Sequence, residues 1–147
     1  MFDINLRQDF YDKEVLEEFF HRCDILKIND EELEIISRLF EYPGPAPEEK
    51  CRSIIKEYGL KMLILTCGTN GSYVFYDGGL SFLDTPKVQV VDTVGAGDSF
   101  TGSFIGSILN GKAVPEAHRT AVRVSAYVCT CEGAMPKIPD SLTLSTT

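Results

Sequence analysis

The chain has 147 residues, 44% hydrophobic and 24% charged, which is ordinary for a globular protein with room for one domain. It carries 14 Lys and Arg against 22 Asp and Glu, a formal net charge of −8; this argues against a nucleic-acid partner, because phosphate backbones are held by clustered cations. No apolar run approaches the roughly 18–20 residues of a membrane span, and the opening MFDINLRQDF lacks the basic and apolar regions of a secretory signal, so no membrane partner is expected and the cytoplasm is the expected compartment.

Strand and helix signals alternate along the chain. FDINLR is a short strand, and DKEVLEEFFHRC has Val15, Leu16, Phe19 and Phe20 at helical spacing. DILKI is a second strand. NDEELEIISRLF is a helix with Leu33, Ile36, Leu39 and Phe40 on one face, broken by EYPGPAP. Pro47 suits the first turn of a third helix, which stops near Gly59. KMLILT is a near-continuous apolar run, as in a strand buried on both faces. CGTNG turns the chain, and SYVFY and LSFLD flank DGG as a hairpin. KVQVVD reads as one more strand, leading into a Gly-Ala-Gly turn and a helix starting near Gly97 with Phe100, Phe104 and Ile108 on one side. A last helix is expected from about Pro115 to Glu132, with Gly133 as its C-cap.

This alternation implies an α/β fold, a mainly parallel sheet with flanking helices plus an antiparallel hairpin, as one domain. Ligands bind such sheets beyond the C-terminal ends of the strands, where the loops after FDINLR, DILKI, KMLILT and VQVVD would gather. The five cysteines, Cys23, Cys51, Cys67, Cys129 and Cys131, include no Cys-x-x-Cys pair. They read as buried reduced thiols rather than a zinc site.

The stretch VDTVGAGDSFTGSF, Val91 to Phe104, matches neither common phosphate motif. Phe100 replaces the third glycine of a dinucleotide fingerprint, and Ser103 stands where a phosphate loop has lysine. What remains is a helix N-terminus whose first N–H groups lack internal partners and carry partial positive charge. Gly95, Ala96 and Gly97 let an anion approach them closely. Asp98, in the first turn, has two readings: a carboxylate stabilised by the helix dipole, or a general base beside an anion hole.

Other segments are similarly double. Asn29 and Glu32 have capping-box spacing, and with Asp30 and Glu31 they could equally hold Mg²⁺ through water. Thr66, Gly68 and Gly71 suit a turn, or a backbone surface against a nucleotide. Asp3, Asn5 and Arg7 share one face of their strand, where Arg7 is either an anion or substrate contact or half of an ion pair.

In combination these segments resemble the ribokinase-like, PfkB-type carbohydrate kinases. FDINLR is similar to that family's Asp-x-Asn-x-Arg strand, KINDEE to its Asn-x-x-Glu element, LTCGTNGS to its nucleotide strand, DTVGAGDSFTGSF to its C-terminal signature and EGAMPKIP to its ending. Within the family the look is of bacterial fructokinases, with 2-keto-3-deoxygluconate kinases the near alternative. The resemblance implies ATP-dependent phosphorylation of a sugar hydroxyl, fructose to fructose 6-phosphate. It implies Asp98 as the base, Gly95, Ala96 and Gly97 as the anion hole, Asn29 and Glu32 as organisers of Mg²⁺ and phosphate, and Thr66, Gly68 and Gly71 facing ATP. Asp92 and Thr93, with Gly133, match a monovalent-cation (K⁺) loop, and Arg7 a substrate contact. The family's N-terminal sugar-binding half and lid have no counterpart here. The chain is therefore expected to be the C-terminal, nucleotide-binding and catalytic half, either a truncated kinase or a non-catalytic nucleotide-binding remnant. An unpaired sheet edge would then invite homodimerisation or aggregation.

Overall fold

The computed structural model describes residues 2–3, 12–42, 46–93 and 95–131, and the chain forms two compact units, Met1–Phe82 and Leu83–Thr147. The first is built on a five-stranded sheet of order β1-β2-β3-β4-β5: β1 (Phe2–Asp3), β2 (Ile25–Asn29), β3 (Met62–Thr66), β4 (Ser72–Tyr76) and β5 (Gly79–Leu83). β1, β2 and β3 run parallel, and β4 returns antiparallel to β3. Parallel neighbours need crossovers: α1 (Lys13–Arg22) joins β1 to β2, and α2 (Asp30–Phe40) with α3 (Pro47–Tyr58) joins β2 to β3.

Each helix starts and stops for a local reason. The Asp12 carboxylate accepts the Glu14 N–H at 2.8 Å and caps α1. Pro47 opens α3, and Gly59, at φ +63°, closes it. In register, Leu26 pairs with Leu63, Ile28 with Leu65, and Leu63 with Phe75. These side chains share one face, and with Leu16, Phe20, Leu33, Ile36, Cys51 and Ile54 they form the core. The next register row, Lys27, Ile64 and Val74, lies on the opposite face and is buried too. Burial on both faces is why β3 reads as an unbroken apolar run. The edge strand β5 leaves Leu80 and Phe82 exposed.

In the second unit α4 (Ala96–Leu109) packs on α5 (Val114–Cys129). Phe100 and Phe104 of α4 are buried, as are Ala117, His118, Ala121, Val124 and Val128 of α5. Hydroxyls along α4 bond back one turn: Ser103 donates to the Ser99 carbonyl and Ser107 to that of Ser103.

Three expectations are corrected. Residues 87–92 form no strand; the Val91 and Asp92 amides donate to the Cys129 carbonyl at 2.8 and 3.2 Å, and Val88, Val90 and Val91 are exposed. α5 ends at Cys129 rather than Glu132: the Thr130 and Cys131 amides donate only three residues back, to the Tyr127 and Val128 carbonyls at 2.9 and 3.1 Å, a tightened last turn. Of the five thiols Cys51 alone is fully buried; the other four are partly exposed, and Cys131 lies beyond the helix end. Most of the FDINLR strand, with Asn5 and Arg7, and the expected cap Gly133 lie outside the described residues.

Candidate functional site

The first unit gathers one set of site residues at the C-terminal ends of its parallel strands. Asn29 ends β2 and Thr66 ends β3, and the two are register partners. Ser72, the first residue of β4, pairs with Thr66 on the other side. A polar row, Asn29, Thr66 and Ser72, thus crosses the edge of an otherwise apolar sheet. Ser72 is buried and was not expected as part of this edge; its signal is its place opposite Thr66 across a five-residue turn, 67–71.

Asn29 is also the N-cap of α2. Its Oδ1 accepts the Glu32 N–H at 2.8 Å, and Glu32 Oε1 accepts the Asn29 N–H at 2.9 Å. The capping box is therefore real, and it fixes both side chains at the sheet edge. Glu32 is nearly fully buried, while Asp30 and Glu31 are exposed. The box uses Oδ1 of Asn29 and Oε1 of Glu32. Among the described residues no group of three or more His, Cys, Asp or Glu side chains forms a metal cage. The donor set suits a hydrated Mg²⁺ held through water, not an ion stripped of its shell.

After Thr66 the chain makes a single 3₁₀ turn, Gly68–Asn70. The Cys67 N–H donates to the Gly71 carbonyl and the Asn70 N–H to the Cys67 carbonyl, both at 2.9 Å. Gly68 has φ +56° and Gly71 φ +98°, ψ −166°. Gly71 occupies a region open essentially to glycine alone, so this turn cannot be built from other residues without strain. Burial, and after it the negative charge of Asp30, push the Cys67 thiol above its usual range, which places the start of α2 near this turn.

The second unit holds the other set. Gly95, at φ +82°, is the N-cap of α4 and supplies no side-chain cap. Ala96, Gly97 and Asp98 are the first three helical residues. The Ala96 N–H donates to the Thr93 carbonyl at 3.2 Å and the Ser99 N–H to the Gly95 carbonyl at 2.9 Å. Between them lie the Gly97 and Asp98 amides, in the turn where a helix has no internal acceptor. Gly97 and Asp98 are exposed, and among the described residues the Asp98 carboxylate makes no ion pair. The Asp92–Thr93 segment is tied to the end of α5 through the Cys129 carbonyl. Burial, followed by the charge of Asp92, raises the Cys129 thiol pKa.

The chain matches the family model described as pfkB family carbohydrate kinase over residues 1–141. It is 33% identical to a ribokinase of Arabidopsis thaliana, covering 88% of this chain and 34% of that protein. It is 31% identical to a 2-dehydro-3-deoxygluconokinase of Thermoproteus tenax (94% and 42%) and 30% identical to a fructokinase of Escherichia coli (94% and 47%). The chain thus spans less than half the length of these relatives. Among solved structures, a Thermotoga maritima ribokinase superposes with a TM-score of 0.76 at 29% identity, over 90% of this chain and 43% of that one. An Arabidopsis ribokinase complexed with ribose and ATP gives 0.70 at 33% identity (86% and 41%). An E. coli protein described as a ribokinase II, in complex with ATP and Mg²⁺, gives 0.79 at 25% identity (91% and 43%). The fold is ribokinase-like, and the chain belongs to the pfkB family of carbohydrate kinases.

Proposed function

We propose that this chain is the C-terminal, nucleotide-binding and phosphoryl-transfer half of an ATP-dependent sugar kinase acting on a primary hydroxyl, with fructose the first candidate and 2-keto-3-deoxygluconate the second. The observation that carries the reading is the α4 N-terminus: a cap without a side chain, small residues at Gly95, Ala96 and Gly97, and Asp98 exposed on the first turn.

Asp98 takes the proton of the attacking hydroxyl, whose oxygen forms the new bond to the γ-phosphorus as the bond to the ADP oxygen breaks. The Gly97 and Asp98 amides, with the helix dipole behind them, stabilise charge on the transferred phosphoryl group. The turn from Thr66 through Gly68 to Gly71 faces the nucleotide. Mg²⁺, held through water near Asn29 and Glu32, would neutralise phosphate charge. Carbonyls near Asp92 and Thr93, with Gly133, would hold a monovalent cation such as K⁺, and Arg7 would contact substrate. The ATP-bound and ATP–Mg²⁺-bound neighbours support these ligands as the partners; the likeness to a fructokinase and a 2-dehydro-3-deoxygluconokinase supports the sugar class. Among the described residues no helix is long and apolar enough to cross a membrane. The proposed place of action is the cytoplasm, where MgATP is supplied.

ADP release with Mg²⁺ and ATP, measured with fructose, 2-keto-3-deoxygluconate and ribose in turn, tests the reading. Turnover with fructose above the others is expected; no sugar-dependent release contradicts the kinase assignment. A second reading, a nucleotide-binding module without catalysis that self-associates, is favoured by exposed Leu80 and Phe82 on edge strand β5. MgATP binding without turnover, by a dimer on a sizing column, would select it.

A further inference from the structure

The chain contains two Asn-Gly pairs, Asn70–Gly71 and Asn110–Gly111. Asparagine is a thermolabile residue, and in such a pair the glycine amide nitrogen can attack the asparagine side-chain carbonyl carbon. Glycine offers the least hindered amide, because it has no Cβ and turns freely about its backbone. The reaction needs no enzyme, oxidant or cofactor, only water and enough backbone freedom to bring the two groups together. The two pairs differ in that freedom.

Asn110 is the C-cap of α4, a helix of 14 residues. Its amide donates to the Gly106 carbonyl at 3.1 Å, the Gly111 amide to that of Ile108 at 3.0 Å and the Lys112 amide to that of Ser107 at 3.0 Å. The attacking nitrogen is committed there, and freeing it unwinds the end of a helix whose Phe104 is fully buried. Asn70 instead ends a 3₁₀ turn of three residues. Gly68, Thr69 and Asn70 are all exposed, so the tip of this turn lies in water. A short 3₁₀ turn has poorer hydrogen-bond geometry than an α-helix, and exposed segments with few buried contacts open at the lowest cost.

We propose that Asn70 is a site of spontaneous deamidation and that its conversion inactivates the nucleotide turn. A bond forms from the Gly71 nitrogen to Asn70 Cγ as the Cγ–Nδ2 bond breaks. The Gly71 amide proton leaves with the side-chain nitrogen as ammonia, and a succinimide ring remains. Water opens the ring at one of its two carbonyls, giving aspartate or isoaspartate. Either product adds a negative charge to a turn already within reach of the Asp30 charge. Isoaspartate also adds a carbon to the main chain, which breaks the register of the Cys67–Gly71 hydrogen bond across the turn. The loss of nucleotide affinity rests on the nucleotide reading given above; the chemistry at Asn70 does not.

The test ages the folded chain at mildly alkaline pH and body temperature and follows its tryptic peptides by mass. Asn70 is the only side-chain amide in residues 62–87, whereas residues 88–112 hold Gln89 and Asn110. A gain of about 1 Da is expected in the first peptide and not in the second, over the time in which an unstructured peptide of residues 67–73 converts. No gain in residues 62–87, or an equal gain in both peptides, overturns the proposal. The aged chain, and Asn70→Asp, which supplies the charge alone, are expected to bind MgATP about 3- to 10-fold more weakly. Asn70→Gln, whose ring closes far more slowly, should keep its mass and its affinity on ageing. A chain converted at Asn70 with MgATP affinity intact overturns the inactivation. If the fresh chain binds no MgATP, the nucleotide reading falls and the inactivation with it, while the mass gain still decides the site.

Discussion

Asn29 and Thr66 stand side by side as register partners at the C-terminal ends of β2 and β3, although two helices separate them in sequence. Asn29 also caps α2 through the Glu32 N–H, so it carries a structural and a proposed ligand role at once. The two are separable. Asn29→Ala should cost about 0.5–2 kcal/mol of stability and weaken MgATP binding. Asn29→Ser keeps a capping oxygen, so it should keep most of the stability while MgATP affinity still falls. Denaturant melts and calorimetry on the same samples check this; a serine variant with unchanged MgATP affinity would confine Asn29 to capping.

The turn after β3 predicts an order of cost. Gly71, buried and at φ +98°, ψ −166°, should lose about 1–3 kcal/mol on substitution by alanine. Gly68, exposed at φ +56° with open space where a Cβ would stand, should lose less, about 1 kcal/mol. Equal costs in urea melts would mean that the strain at Gly71 is not what holds this turn.

His118 makes the stability of the second unit depend on pH. It is fully buried on α5, edge-on to Phe100 at 6.2 Å between ring centroids, and burial lowers its pKa from 6.5 to about 4. Between these values the unfolded chain binds the proton and the folded chain does not, so stability rises with pH across the window and levels off above 6.5. Acidification through the whole window should remove up to about 3 kcal/mol. Denaturant melts above, within and below the window check the slope, and His118→Asn should flatten it; an equal slope in that variant would assign the dependence to other groups.

Asp98→Asn is expected to lower sugar-dependent turnover by roughly 10²–10⁴ while MgATP affinity changes little, because the amide keeps the helix start but cannot take a proton. Turnover near that of the unsubstituted protein would remove Asp98 from the role of base.

Much of this is legible in the sequence because it is local. Apolar spacing places α1 to α3, and the proline and glycine at the ends of α3 mark its limits. The asparagine and glutamate of KINDEE give a capping box with both hydrogen bonds in place. What depends on the partner across space is harder to read. Residues 87–92 have the alternation of a strand, but the Val91 and Asp92 amides turn to the end of α5, and β-propensity without a neighbour makes no ladder. Gly133 suits the cap of a longer α5, yet the backbone tightens to three-residue bonds at Thr130 and Cys131 and the helix ends earlier. The row Asn29, Thr66 and Ser72 is a product of register, which no single segment encodes.

Calorimetric titration of the folded chain with ATP in the presence of Mg²⁺ tests most directly whether its two sets of residues serve a nucleotide. Saturable one-to-one binding, weakened in Gly71→Ala and retained in Asp98→Asn, is the expected result. A folded chain that shows no saturable binding of MgATP would contradict it.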